Sequence, residues 1–571
     1  MNWRRYLLLA LLGLVLSAGI AAFQPAPGYM DADYYYAGGL QLAAGRGFTE
    51  PFLWNYLDDP AGLPHPAFSY WMPLTSLLAA LGMTLTGHAN WFAARLGFLA
   101  LGAILPPLTA ALSYSLISRR DLALTAGLLA VFSGFYAPYL PVTDTFGLYM
   151  LFGALFFLIV NHKSPALSEV EGPIANCKSL IADSKSSIVN RKSEIVNPLL
   201  LGLLAGLMHL ARADGVLWLL LALFAVILQK PSSLPPNYAA RFTHYAVRIT
   251  QHASRITFCL LGYLLIISPW LVRNLAVFGA PLAPGGSRAL WLTRYDQLFA
   301  YPASLLTFAS WWHSGLAEIL KVRLWALGLN LESALAVQGS IFLLPLILIG
   351  LWQLRRESRG GPCVRPTCTL LALLAWGLTL AAMTLVFPFA GARGGFFHSG
   401  AALQPFWWAV APLGLARVVA WGARRRGWQE KQAHTIFSAG MVVIAALLTA
   451  WIVQGRVIGA FNGEQAWGRE AAAYSQIEEF LVEQGAPVEA VVVVANPPGY
   501  YLASGRPAVA VPDGDEQTVL DVARKYGGRF LILEQGSLPR GLARLYDQPI
   551  GQPDFRFLGE VAAARIYVIQ P

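Results

Sequence analysis

Charge is scarce in this chain. Of its 571 residues, 13% are Asp, Glu, Lys or Arg, about half of the roughly 25% carried by a soluble domain. Hydrophobic residues make up 56%, and the mean hydropathy is +0.52. A soluble enzyme is excluded, and a polytopic membrane protein is implied. Cysteine is scarce as well, with four in all: Cys177, Cys259, Cys363 and Cys368. They supply neither a disulfide framework nor a metal-ligand spacing. The last 116 or so residues lack cysteine, histidine and any Gly-x-Gly-x-x-Gly fingerprint, which argues against nucleotide or metal chemistry there.

Apolar runs are abundant. A span needs about 20 residues, and about eleven runs qualify: near 6–23, 91–117, 122–140, 146–160, 199–211, 215–229, 258–274, 337–354, 369–387, 403–421 and 436–455. The expected fold is mainly α, a polytopic transmembrane helical bundle over 1–455. Residues 456–571 differ. Charge returns, and the pattern reads helix 466–484, strand 489–495, turn, strand 507–511, helix 515–526, strand 529–534 and strand 562–569. That alternation predicts a small α/β domain with a parallel sheet, able to fold by itself and accessory in role.

About half of the 41 Lys and Arg fall in short segments at alternate ends of the spans: Arg4–Arg5, Arg119–Arg120, Lys163–Lys192, Lys230–Arg255, Arg355–Arg365 and Arg424–Lys431. In the opposite loop, 24–90, Arg46 is the single such residue. The positive-inside pattern puts the N-terminus in the cytoplasm and the C-terminal domain outside, in a plasma or inner membrane. The net charge of +10 is thus a topology signal and gives no reason to expect nucleic acid. SAGIAAF offers small residues for signal-peptide cleavage after the first run, which would leave the loop topology unchanged. Two cytoplasmic inserts, 163–197 and 231–257, contain seven-residue repeats (IANCKSL, IADSKSS, IVNRKSE; YAARFTH, YAVRITQ, HASRITF). They have too few apolar positions for a coiled-coil seam and read as low-complexity insertions without function.

The outer loop 24–90 is the richest segment. It opens with GYMDADYYYAGG, where Asp31 and Asp33 stand just beyond the first run. Carboxylates this close to a bilayer are costly unless they face water or do chemistry. They could also cap a helix starting near Tyr34. The run 67–86 reads as interfacial or re-entrant, since counting it as a span would reverse the charge rule.

An acidic pair after the first span, followed by an aromatic, proline-rich segment with His65-Pro66 leading into Tyr70-Trp71, resembles the C-type (GT-C) membrane glycosyltransferases. The likeness is to the branch of protein mannosyltransferases and lipid A aminoarabinose transferases. AARLGFLALGAILPPLTAALSYSLISRRD resembles that family's second span and basic turn. LAVFSGFYAPYLPVTDTFGLYMLF places Asp144 at its outer acidic position. GLLAGLMHLARADGVLWLL resembles its helix pair broken at Arg-x-Asp-Gly. SPWLVRNLAVFGAPLAP resembles its Pro-Trp…Arg-Asn…Gly-x-Pro segment. The likeness covers about residues 1–300 well and 369–421 loosely, and His65-Pro66-Ala67 departs from the usual second proline.

The resemblance implies transfer of a sugar from a polyprenyl-phosphate donor to a lipid, glycan or protein acceptor outside the membrane, with inversion. An attacking hydroxyl needs a base, and a carboxylate supplies one at neutral pH. Asp31 or Asp33 fits that role, and Asp144 would orient the acceptor. A divalent ion, Mg or Mn, shared by Asp31, Asp33 and Asp144 stays open. The anionic leaving group needs cations, and His65, Arg212, Arg273, Arg393 and His398 are the candidates. Each has a plainer alternative: Asp144 as a helix cap, Arg212–Asp214 as a structural ion pair, Arg273 snorkelling to the interface, His398 as a lone structural histidine. The aromatics of 275–336 (Trp291, Tyr295, Tyr301, Trp311, Trp312) read first as an interfacial belt. A transporter or flippase is the rival class, but the acidic residues sit at span edges and no half of the chain repeats. A non-catalytic protein of the same fold is the other.

Overall fold

The computed structural model describes residues 2–161, 196–228, 241–360, 366–459, 466–550 and 553–570. The insert 163–197 lies outside the described residues except at its last two positions. So do residues 231–240 of the second insert, with Cys177 and Cys363. Residues 241–257 form the start of a helix, Arg241–Phe278. Cys259 and Cys368 are free and buried.

The chain is a multi-pass membrane protein. Among the described residues, six helices are long and apolar enough to cross a bilayer: Trp3–Ala21, Trp91–Ile117, Thr250–Phe278, Thr367–Val386, Pro388–Arg426 and Glu430–Ile458. Six of the expected spans coincide with these. Three more, near 146–160, 199–211 and 215–229, coincide with shorter apolar helices. The run 122–140 is not one helix. Arg120–Val131 ends, and a tight 3₁₀ turn, Gly134–Tyr139, follows with Pro138 inside it. Near 337–354, the helix is Leu344–Gly360, preceded by a separate helix Leu316–Ser333 in what reads from sequence as loop.

Small residues set how closely the helices approach. On Trp3–Ala21, Leu9, Gly13, Ser17 and Ile20 are buried at helical spacing, while Leu7, Leu8, Leu11 and Val15 face outward. A Cβ on Gly13 would collide with the Gly102 carbonyl, and one on Gly102 with Ser17. This small-residue seam packs the first helix onto Leu96–Ile117, as helices pack in lipid where hydrophobic association cannot drive them together. The seam fixes the point from which the aspartate segment emerges.

That segment is a helix, Met30–Ala43. It is braced by Leu74–Thr86: a Cβ on Gly39 would press on Ala79 and Met83, and Ser76 Oγ donates to the Tyr35 carbonyl at 2.9 Å. Leu74–Thr86 is 13 residues long, short of the roughly 20 that a bilayer requires.

The C-terminal elements are helix Arg469–Glu483, strand Val491–Val494, helix Pro497–Ser504, strand Ala508–Ala510, helix Glu516–Tyr526, strand Gly528–Glu534 and a hairpin, Phe555–Val561 with Ala564–Ile569. The segment read as a turn, NPPGYY, is helical because Asn496 caps it by accepting from the Gly499 N–H and proline fills its first turn. The strand Phe555–Val561 is not foreseen in sequence. The sheet is mixed. Its parallel part holds Ala508–Ala510, Val491–Val494 and Gly528–Glu534, and the hairpin adds antiparallel strands. The edge beyond Ala508–Ala510 is filled in parallel by Phe52–Leu53 of the 24–90 loop. Lys525–Asp59 (3.1 Å), Tyr526 Oη to the Pro60 carbonyl (2.9 Å) and Arg294–Asp513 (2.7 Å) add further ties to the loops.

Candidate active site

Asp31 lies in the first turn of Met30–Ala43, whose N-cap is Tyr29 and which has no side-chain cap. The capping alternative for the acidic pair therefore does not describe it, although both carboxylates favour the helix dipole. Asp144 precedes the helix Phe146–Asn161. Its Oδ1 accepts from the Thr145 N–H at 2.5 Å and from Thr145 Oγ1 at 3.1 Å. This holds the carboxylate so that Oδ2 turns to the other side, where the Tyr29 hydroxyl donates to it.

His398 arrives from the far end of the chain. The helical path from Pro388 is interrupted at Arg393 and Gly394. Gly394 sits at φ +116°, a conformation that L side chains rarely adopt. The His398 ring is stacked on Phe146 at 4.1 Å, and Nδ1 lies 2.9 Å from the Gly394 carbonyl. Nε2 faces the carboxylates, 3.1 Å from Asp144 Oδ2 and 3.7 Å from Asp31 Oδ2.

Three residues separated by up to 367 positions thus converge, with ligand atoms all within 4.8 Å of one another. Asp144 is 1% exposed, whereas the Asp31 side chain keeps 32% of its surface open, as a group meeting a substrate must. Burial pushes the Asp31 carboxyl up to about 6, with His398 opposing and Asp144 adding to the rise. Burial works against ionised Asp144 too. The charge of His398 and the hydrogen bonds from His398, Tyr29 and Thr145 outweigh it and hold that carboxyl below its ordinary value. The two carboxyls are thus shifted in opposite directions, Asp31 upward and Asp144 downward.

The other candidates divide. Arg212 pairs with Asp214 at 2.9 Å at a helix break, and its guanidinium lies 5.9 Å from the Tyr149 ring. Its charge also acts on Asp31. Arg393 stacks over Tyr295 at 4.7 Å, and the Tyr295 hydroxyl feels the Asp31 charge. His65 and Arg273 lie together elsewhere. His65 is buried and 2.6 Å from Asp58, and its ring is 6.5 Å from Phe278. Arg273 lies over the other rings there, 4.8 Å from Trp270 and 5.0 Å from Phe278, and donates to the Ala67 carbonyl at 2.8 Å. Neither touches the Asp31–Asp144–His398 group.

Asp33 is not part of that group. About 200° around the helix from Asp31, it is 6% exposed and accepts from Asn496 Nδ2 at 2.9 Å. Burial, with Glu470 nearby, raises its carboxyl well above the ordinary value. Tyr29, Glu470 and Asn496 carry no signal in sequence that ties them to the aspartates. Their roles appear only when the segments are brought together.

Two carboxylate oxygens and an imidazole nitrogen within one ion's reach suit a divalent cation, and the nitrogen suits Mn better than Mg. The donor set fits such an ion with Asp33 excluded from it.

No family model matches the chain, and no curated protein is similar to it in sequence. Solved structures are similar. The oligosaccharyltransferase AglB from Archaeoglobus fulgidus, in complex with an inhibitory peptide and a dolichol-phosphate, superposes at TM-score 0.50 and 11% identity, over 92% of this chain and 69% of that one. Its apo form gives 0.51 and 11%, over 93% and 69%. ArnT from Cupriavidus metallidurans, bound to undecaprenyl phosphate, gives 0.50 and 12%, over 98% of this chain and 97% of that one. The chain shares the fold of these solved structures. At these identities the likeness carries architecture, and the chemistry rests on the residues of this chain.

Proposed function

We propose that this protein is a membrane glycosyltransferase that moves a sugar from a polyprenyl-phosphate donor to a lipid, glycan or protein acceptor on the extracytoplasmic side, with inversion at the anomeric carbon. The observation that carries the proposal is the meeting of Asp31, Asp144 and His398 in a chain of C-type glycosyltransferase fold. The similar structures hold dolichol-phosphate with an inhibitory peptide, and undecaprenyl phosphate, which supports a polyprenyl-phosphate donor here.

In this reading Asp31 takes the proton from the acceptor hydroxyl or amine as its oxygen or nitrogen bonds to the anomeric carbon. The bond from that carbon to the phosphate oxygen breaks on the opposite face, and the electron pair leaves with the phosphate. Arg212 and Arg393 supply positive charge toward the leaving phosphate. Asp144, fixed by Thr145 and Tyr29, orients His398. Where a divalent ion is used, Asp31, Asp144 and His398 would hold it, and its charge would help neutralise the phosphate. His65 and Arg273 take a structural role, holding the 24–90 loop through Asp58 and the Ala67 carbonyl.

The test is sugar transfer in liposomes from a set of polyprenyl-phosphate sugars, with the anomeric configuration of the product read by NMR. An inverted product made by the wild type supports the reading. Retention of configuration would remove it.

A further inference from the structure

The helix that carries Asp31 is capped by Tyr29, which has extended backbone (φ −166°, ψ 160°). Its carbonyl accepts from the Asp33 N–H at 2.9 Å. Its hydroxyl donates to Asp144 Oδ2, the oxygen that His398 Nε2 also meets, at 3.1 Å. The aim of that hydroxyl depends on what stands behind the ring. The ring lies edge-on to Tyr139 at 5.6 Å and to Trp467 at 5.9 Å.

Trp467 comes from a distant part of the chain. It opens the C-terminal region, just before the helix Arg469–Glu483, and is 7% exposed. Its Nε1 donates to the Ala26 carbonyl at 3.0 Å, and its backbone N–H donates to the Val457 carbonyl at 3.1 Å. Gly28 sits at φ +95°, and a Cβ there would collide with the indole. Only glycine gives the ring this seat. The indole also lies 6.0 Å from Tyr139. Tyr139 in turn is 5.4 Å from Phe146, the ring on which His398 is stacked. One indole therefore stands behind both members of the Asp144–His398 pair. Edge-to-face contacts of buried rings favour particular geometries beyond the area they bury. The same region grips the helix elsewhere: Asn496 Nδ2 donates to Asp33 Oδ2 at 2.9 Å, and Gln41 Nε2 donates to the Tyr501 hydroxyl at 3.0 Å.

We propose that Trp467 is a positioning residue for sugar transfer, through which the C-terminal region holds Tyr29 against Asp144 and so sets the Asp144–His398 pair beside Asp31. Trp467 acts through Tyr29 and touches no reacting atom. A region that reads from sequence as accessory is thereby part of how the site is built. The effect on turnover rests on the transferase reading, whereas the bracing of Tyr29 is measured without any substrate.

The experiment compares the full-length wild type with Trp467→Leu, Trp467→Phe and Tyr29→Phe, by hydrogen–deuterium exchange in detergent and by sugar transfer in liposomes. Leucine keeps apolar bulk and loses the ring and its N–H, whereas phenylalanine keeps a ring. In Trp467→Leu the Asp33 amide, bonded to the Tyr29 carbonyl, should exchange roughly tenfold faster, while the strand Val491–Val494 keeps its protection. Turnover should fall about 10–100-fold, the cost of misplacing a group from outside the reacting centre. The donor KM should stay within about twofold, since binding contacts remain. Trp467→Phe should recover most of both losses. Tyr29→Phe should lower turnover alone, and adding Trp467→Leu to it should cost less than the product of the single effects. Should Trp467→Leu fold poorly, Gly28→Ala displaces the indole with Trp467 present, and the same changes in exchange and turnover are expected. Unaltered Asp33 exchange, normal turnover beside faster exchange, or multiplicative losses in the double variant would overturn the proposal. Absence of transfer by the wild type would refute the transferase reading instead, and the exchange result then decides the bracing by itself.

Discussion

Replacing Asp31 by asparagine keeps the side chain's size and removes its basic lone pair. The nearest cationic atom, His398 Nε2, is 3.7 Å away, and the carboxylate is one-third open, so the pair contributes at most about 1 kcal/mol to stability. The folded protein should therefore survive nearly unchanged. Catalysis should not. General-base assistance is typically worth 10²–10⁴-fold, about 3–5 kcal/mol of barrier at 1.36 kcal/mol per tenfold. Turnover in liposomes with a polyprenyl-phosphate sugar should fall by that factor, with donor binding changed far less, because lipid tail and phosphate contacts remain. The pH profile gives a second reading. With its carboxyl pushed up to about 6 by burial, Asp31 is a base only above that value. Wild-type turnover should rise between about pH 5 and 7 and level off. The rise should vanish in Asp31→Asn and persist in Asp31→Glu. Full activity in Asp31→Asn would refute the assignment, and so would an identical rise with pH in that variant.

Three further outcomes are expected. In intact cells, a cysteine introduced at the exposed Ser537 should react with an impermeant label while Cys177 does not. The reverse would overturn the inferred orientation. Arg506, 1% exposed and held by Glu478 at 2.8 Å, should cost about 3–5 kcal/mol when changed to methionine, because a partly buried carboxylate loses its counter-ion. A melt unchanged within 1 kcal/mol would show the pair to be dispensable. The carboxyl of Glu534, in the sheet, is pushed up to about 7, chiefly by burial. The folded state thus binds that proton more tightly than the unfolded chain does. The associated stability is complete below about pH 4.5 and is lost as pH rises through about 7, on the order of 3 kcal/mol. Glu534→Gln should flatten that loss in pH-dependent melts, and an unchanged slope would assign it elsewhere.

The sequence by itself determined that this chain lives in a membrane. Low charge, long apolar runs and basic residues at alternate ends are properties of composition and order, and a helix in lipid satisfies its backbone within its own segment. The expected spans near 6–23, 91–117, 258–274, 369–387, 403–421 and 436–455 accordingly match helices of spanning length. Local signals also carried the C-terminal elements: Asp515 caps Glu516–Tyr526, and Val491–Val494 reads as a buried strand. They did not carry Phe52–Leu53 into that sheet, because two residues have no periodicity of their own and take their conformation from the edge beside them. The same division holds at the site. Asp31 and Asp144 were legible, since a carboxylate at a span edge is costly and local in sequence. That Asp31 meets Asp144 and His398 while Asp33 turns to Asn496 and Glu470 was decided by tertiary structure alone. A helix separates neighbours two apart onto opposite faces, and which face meets which partner depends on segments up to 463 residues away.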